Sequence, residues 1–180
     1  ALYGPKIDFM FKDALGRKIQ IPTIQLDFAT PKRFGLFYID EKGEKQVPVM
    51  IHRAILGSYE RFLVLLLEQF KGVLPIWLSP VQVNIVPINN EAHIEFCKKL
   101  MNRLIDEDIR VEIDSSGETL NKKIKVSNDM KNPYTVVIGN KEMENNSVTF
   151  RKLGSPEQNN MNIDDFIQMI KNQINQDKQI

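Results

Sequence analysis

Pro48-Val49-Met50-Ile51-His52-Arg53-Ala54-Ile55-Leu56-Gly57-Ser58-Tyr59-Glu60-Arg61-Phe62 is the stretch on which the reading of this chain turns. Val47–Ile51 is an apolar run of strand type, and Tyr59–Phe70 has helical periodicity. Between them Ser58 is suited to cap the helix, because its hydroxyl can accept a free backbone N–H of the first turn. From Phe62 to Leu67 the helix is apolar nearly all round, which predicts burial. Arg61 falls in the first turn, where the positive end of the helix dipole disfavours a cation. A cation there calls for an anionic partner: Glu60, Asp27 or a phosphate ligand. His52 stands between Val49-Met50-Ile51 and Arg53, and periodicity alone favours a core or hydrogen-bonded histidine.

Upstream, Ile7–Phe11 alternates, Asp13–Arg17 forms a turn, and Lys18–Ile21 and Thr23–Phe28 alternate again. Such alternation buries one strand face only. Gln20, Thr23, Gln25 and Asp27 are too many polar choices to be casual, although the pattern does not say which face is wet. Phe37–Ile39, a Glu41–Lys45 turn and Val47–Ile51 make a hairpin candidate. Downstream, Leu74-Pro75-Ile76-Trp77-Leu78-Ser79-Pro80 interrupts the periodicity, since proline stops helices and biases its neighbour to extended structure. The expected domains are therefore residues 1–75 and 76–180. The second reads β (Val81–Val86), α (Glu91–Ile105), β (Arg110–Ile113), α (Leu120–Met130), β (Tyr134–Ile138), β (Ser147–Phe150) and a last helix capped by Asn162. That order suggests an α/β domain with a mixed sheet.

Composition excludes more than it assigns. The chain has 180 residues, 42% hydrophobic and 26% charged, as an ordinary globular protein does. The single cysteine, Cys97, excludes an internal disulfide and an all-cysteine metal site. It is expected in the core, and the expected setting is reducing and cytoplasmic. No apolar run approaches the ~20 residues that span a bilayer. Residues 1–80 carry 11 Lys/Arg against 8 Asp/Glu, a balance of +3, and residues 81–180 carry 13 against 15, a balance of −2. Any RNA contact must then come from local clusters rather than from net charge. Lys122-Lys123-Ile124-Lys125 with Lys131 reads as a solvated helix face, and His93 as a solvent-facing helix residue. Ala1-Leu2-Tyr3-Gly4-Pro5-Lys6 carries no initiator Met, and the expectation is a fragment.

Four blocks carry a resemblance. Tyr3-Gly4-Pro5-Lys6-Ile7-Asp8-Phe9, Thr23-Ile24-Gln25-Leu26-Asp27-Phe28, Pro48–Phe62 and Trp77-Leu78-Ser79-Pro80-Val81-Gln82-Val83 resemble threonyl-tRNA synthetases, in the family's order and spacing. The resemblance implies a partial class II synthetase antiparallel sheet followed by an α/β anticodon-binding domain. It implies a ligase that joins threonine to threonine tRNA through a threonyl-adenylate, with ATP, Mg2+ and a Zn2+ that recognises the amino acid, and a homodimer in the full-length protein.

Residue by residue, the resemblance places His52 on the histidine zinc ligand and Arg61 on the third-motif arginine that contacts ATP. Gln25, Lys6 and Tyr3 fall at positions lining the threonine and adenylate site, Gln20 near the nucleotide, and Ser58 at the substrate pocket. In the second domain Glu142 and Arg151 fall on base-reading positions; the other reading is a surface pair.

The departures are Ile21-Pro22 after the nucleotide-site glutamine, where Pro22 predicts an edge or bulged position, and Gly117 in place of an asparagine that helps read the anticodon. The family's other two zinc ligands, a cysteine and a histidine, lie upstream of Ala1, so the chain by itself is expected to be inactive in threonine activation. The competing readings are a stand-alone tRNA-binding or regulatory module and a prolyl-, histidyl- or glycyl-type relative.

Overall fold

The structure is a computed structural model and describes residues 2–178. The chain forms two compact units, Ala1–Gly72 and Val73–Ile180. The first runs β1 (Lys6–Lys12), β2 (Lys18–Asp27), α1 (Thr30–Arg33), β3 (Tyr38–Ile39), β4 (Lys45–Gln46), β5 (Met50–Ala54) and α2 (Tyr59–Phe70). Strands β1, β2 and β5 pair antiparallel with β2 in the centre. The alternating segments before and after Pro22 are one strand. It bulges where Phe9 alone faces Ile21 and Pro22, between the Asp8–Thr23 and Met10–Gln20 pairs. Pairing with β5 begins only at Thr23. Pro22 therefore sits where no ladder donor is required, as its ring dictates.

Two expectations are corrected in this unit and one element is added. The hairpin after Phe37 closes through Lys45–Gln46, while Ile51 belongs to the three-stranded sheet. A short helix, α1, follows β2, with Pro31 in its first turn. Helix α2, expected to be buried, has no buried residue. Leu63, Val64 and Leu67 are each about half exposed. Three long strands and one 12-residue helix supply no second layer among the described residues to cover an all-round apolar surface. Ser58 does cap α2, its side chain accepting from the Arg61 N–H. The helix ends through left-handed Lys71 and Gly72, whose N–H reaches the Leu67 carbonyl.

The second unit runs β6 (Val83–Pro87), α3 (Asn90–Asp106), β7 (Val111–Ile113), α4 (Leu120–Asp129), β8 (Tyr134–Ile138), α5 (Asn140–Asn145), β9 (Ser147–Lys152), β10 (Asn159–Asn162) and α6 (Ile163–Asp177). The sheet order is β10-β9-β8-β6-β7, with β6 parallel to both β7 and β8 and the remaining pairs antiparallel. This is the expected mixed sheet, with α5 and β10 added. Both added elements are short and polar, so periodicity could not mark them. All of β6 is buried. Leu100 and Leu104 of α3 and Phe166 and Ile170 of α6 belong to the same core as Val83, Ile85 and Val136. Phe166, fully buried, packs 5.0 Å from Phe150 and 6.3 Å from Tyr134 between ring centroids. Each such aromatic contributes roughly 1.5–3 kcal/mol by burial.

Cys97 lies in this core, and burial pushes its thiol up to about 11. Two solvated residues were expected instead where the structure buries them. His93 is 4% exposed; its Nδ1 accepts the Asn89 N–H and its Nε2 pairs with Asn140 Oδ1 at 2.9 Å. Lys123 is 2% exposed, donating to Asn90 Oδ1 at 3.0 Å. In both cases partners from distant sequence satisfy a polar group that burial would otherwise penalise.

Candidate functional site

In the first unit the ladder sets Lys6 opposite Gln25 and Gln25 opposite His52, so three strands place three polar residues in one row. Adjacent strands lie about 4.8 Å apart, close enough for such a row to act on one ligand. Asp8, Thr23 and Asp27 share that face because alternate residues on a strand do. Ile7, Ile24, Leu26 and Ile51 occupy the other. The polar face is thus the one carrying Gln25, while Ile7 and Ile51 stand exposed on the other. Gln20 stands an odd number of residues from Thr23 and would point away in a regular strand. The bulge at Ile21-Pro22 brings it back. Its Nε2 donates to Asp8 Oδ1 at 2.7 Å, and the same oxygen accepts the Thr23 hydroxyl at 2.8 Å. Asp8, not foreseen as a site residue, is the hub. Its ion pair with Lys6, then the Thr23 hydroxyl, holds its carboxyl below the ordinary range. The signal available in sequence was its i+2 spacing from Lys6.

Tyr3 reaches this face by a backbone that only glycine permits at the next position. A Cβ on Gly4 would lie 2.1 Å from the Leu26 carbonyl oxygen. The Tyr3 hydroxyl donates to Gln25 Oε1, and its ring stacks 5.7 Å from that of His52, tilted by 59°. Gly57 makes the corresponding turn into α2, with φ +68° and the Ile21 carbonyl 3.2 Å from where a Cβ would stand. That turn delivers Arg61, whose Nη1 donates to the Gln20 carbonyl at 3.3 Å. Neither acidic partner weighed from sequence, Glu60 or Asp27, pairs with Arg61 among the described residues. Its guanidinium lies exposed beside the polar face. Ser58 is committed to its cap and is exposed.

His52 is a hydrogen-bonded histidine. Its Nε2 meets Asp27 Oδ2 at 2.9 Å. Asp27 is buried, and its other oxygen accepts the N–H groups of Ala29 and Thr30. Burial works to raise its pKa, but the hydrogen bonds from Thr30, His52 and Ala29 outweigh it and hold the carboxyl far below the usual value. Only Nδ1 of His52 is left for another ligand. No group of three or more His, Cys, Asp or Glu residues converges among the described residues.

In the second unit Glu142 and Arg151, from α5 and β9, line one cleft of about 290 Å³. Asn121 and Gln158, neither singled out from sequence, complete its polar rim, and Ile88, Ile124 and Phe150 give it apolar walls. Glu142 Oε2 accepts the Gly139 N–H at 2.9 Å and Oε1 the Thr149 hydroxyl at 2.7 Å, and Asn160 holds Thr149 in turn at 2.9 Å. Desolvation opposes its ionisation, yet these hydrogen bonds prevail and its pKa lies below the ordinary value. Arg151 Nη2 donates to Gln158 Oε1 at 3.1 Å. The cleft therefore presents an anchored carboxylate, a guanidinium and two amides around an apolar floor. Those are the groups that read the edges of an unstacked base. Convergence of Asn121 and Gln158 on this cleft depends on the sheet order, which no local pattern encodes.

No described helix is long and apolar enough to cross a membrane. The family model of the anticodon binding domain matches residues 82–173, and that of the tRNA synthetase class II core domain (G, H, P, S and T) matches residues 1–70. A threonine–tRNA ligase of Ureaplasma parvum is 50% identical over 175 residues, covering 97% of this chain and 30% of that protein. The catalytic subunit of the threonine–tRNA ligase of Sulfurisphaera tokodaii is 49% identical, covering 97% of this chain and 32% of that protein. The chain thus spans about a third of the length of these curated relatives. Among solved structures, the RNA binding domain of threonyl-tRNA synthetase from Cryptosporidium parvum matches with TM-score 0.78 and 41% identity, over 96% of this chain and 44% of that one. With a class II core segment, an anticodon binding domain and relatives of this name over nearly all its residues, the chain belongs to the threonyl-tRNA synthetase family of class II aminoacyl-tRNA synthetases.

Proposed function

We propose that the chain serves a cytoplasmic threonine–tRNA ligase, with residues 73–180 holding the anticodon of threonine tRNA and residues 1–72 contributing part of the adenylate site. The observation that carries this reading is the cleft in which Glu142 and Arg151 meet. A carboxylate accepts from base N–H groups and a guanidinium donates to base carbonyls, so the pair can reject a base whose edge leaves either one unsatisfied.

In the first unit, threonine's carboxylate oxygen attacks the α-phosphorus of ATP, and pyrophosphate leaves with the electron pair of the broken P–O bond. Arg61 supplies positive charge to the phosphates and a planar surface to the nucleotide. Lys6, Gln25 and Tyr3 orient threonine and the adenylate on the polar face, Gln20 borders the nucleotide, and Ser58 sets the start of α2. Mg2+ accompanies the ATP phosphates. A zinc centre for the threonine amino and hydroxyl groups would take Nδ1 of His52 as one ligand and needs others beyond the residues described. Two copies of the complete protein form the working dimer. The chain by itself gives no threonine-dependent ATP–pyrophosphate exchange; a signal above background would show that its first unit holds a whole site.

The test is filter binding of the chain to threonine tRNA and to the same tRNA with the central anticodon base replaced. The unaltered tRNA binds more tightly, and Arg151→Ala removes the difference. Equal binding of both tRNAs by the unsubstituted chain refutes the reading.

A further inference from the structure

We propose that Asn121 is a third specificity-determining residue of the cleft, its side-chain amide pairing with an anticodon base edge that faces helix α4. This rests on the reading of the cleft as the anticodon site. Of the three residues that α4 places in the cleft, Leu120 and Ile124 are apolar, and Asn121 is the one able to hydrogen-bond. Its side chain is exposed and has no hydrogen-bond partner among the described residues. The polar side chains around it are engaged elsewhere. Lys122 donates to Glu118 at 2.6 Å, and Lys123 is buried on Asn90. Across the cleft, on α5 and β9, both Glu142 oxygens already accept hydrogen bonds, and Arg151 is tied to Gln158.

A base entering the cleft is therefore met from the α5 and β9 side by charged, pre-positioned groups. From the α4 side it is met by two apolar side chains and one uncommitted amide. The loop before α4 adds nothing there. Gly117 has no side chain, and nothing lies within 4 Å of where its Cβ would be. An amide presents one acceptor and two donor hydrogens, so it pairs with one arrangement on a base edge and leaves the reverse arrangement unsatisfied. Leu120 and Ile124 beside it offer no substitute partner, so a base with the reverse arrangement loses this hydrogen bond and the amide discriminates.

The test uses the full chain and fluorescence anisotropy. The probes are the anticodon stem-loop of threonine tRNA and three stem-loops that each carry one replaced anticodon base. Asn121→Ala, a surface substitution checked for an unchanged thermal melt, weakens binding of the unaltered loop by roughly threefold to tenfold, the range of one net hydrogen bond. At one anticodon position the replaced loop binds the variant and the unsubstituted chain alike, because the contact is already missing there. Asn121→Asp, which keeps the acceptor and loses the donors, changes preference at that same position. Equal weakening on all four loops, or no change, overturns the role of Asn121. The cleft reading survives that result if Arg151→Ala still abolishes discrimination. If the unsubstituted chain does not distinguish the four loops, the cleft reading and the role of Asn121 fall together.

Discussion

Replacing Glu142 by glutamine isolates the charge that organises the cleft while keeping its shape. In the native protein one oxygen accepts the Gly139 N–H and the other the Thr149 hydroxyl. Glutamine retains one acceptor and turns the other position into an NH2. If the oxygen stays on Gly139 N–H, the amide faces Thr149, whose hydroxyl can rotate to accept, at the cost of its bond to a charge. If it stays on Thr149, two N–H groups confront each other. Hydrogen bonds to a charged group are worth about 1.5–3 kcal/mol each, against about 1 for neutral ones, so the exchange costs roughly 1–2 kcal/mol. Loss of a negative charge from the first turn of α5 adds about 0.3–1 kcal/mol. The expected destabilisation is about 2 kcal/mol. The chain's one tryptophan, Trp77, lies in the second unit and reports on its unfolding. With a slope of about 2 kcal/mol per molar urea, the midpoint of its fluorescence transition falls by about 1 M. Anticodon discrimination falls in the same variant at temperatures where the unit remains folded. Thr149→Val, which leaves the carboxylate charged but removes its hydroxyl donor, gives a smaller loss of both. An unchanged midpoint for Glu142→Gln would refute the account of Glu142 as an anchored charge.

Two further outcomes concern the first unit. Because the Asp27 carboxyl is depressed in the folded state, it stabilises the sheet fully above its unfolded value near ~3.9, and that contribution is lost as pH falls toward the folded value. Amide protection of Ala29 and Thr30, which donate to Asp27, is expected to be greater in the native protein than in Asp27→Asn near pH 6. The gap should close under strong acid, and a gap that widens on acidification would contradict the linkage. Gly57→Ala forces a side chain into a left-handed turn against the Ile21 carbonyl and costs at least about 1 kcal/mol. It should lower the melting temperature of the first unit and release Arg61 from the Gln20 carbonyl. A melt equal to that of the native chain would show that the turn relaxes freely.

Much of this protein was legible in its sequence where the determining physics is local. Alternation located β1 and β2, the Ser58 and Asn162 hydroxyl and amide caps marked where α2 and α6 begin, and Pro22 announced an edge or a bulge, of which the structure has the bulge, because its ring cannot donate to a ladder. The specific block from Pro48 to Phe62 identified the family, since side chains shaped by one chemistry repeat as a motif. Tertiary structure decided what depends on neighbours far along the chain. The bulge puts Gln20 on the Gln25 face, and strand order joins Asn121 and Gln158 to Glu142 and Arg151. Asn140 and Asn90 turn the expected solvent residues His93 and Lys123 inward. Burial carried the same lesson in the other direction. An all-apolar turn of helix calls for cover, but cover comes from a second layer, and among the described residues the strands of the first unit provide none for α2. A side chain's periodicity is a property of its own segment, whereas its partner, and hence its chemistry, is a property of the fold.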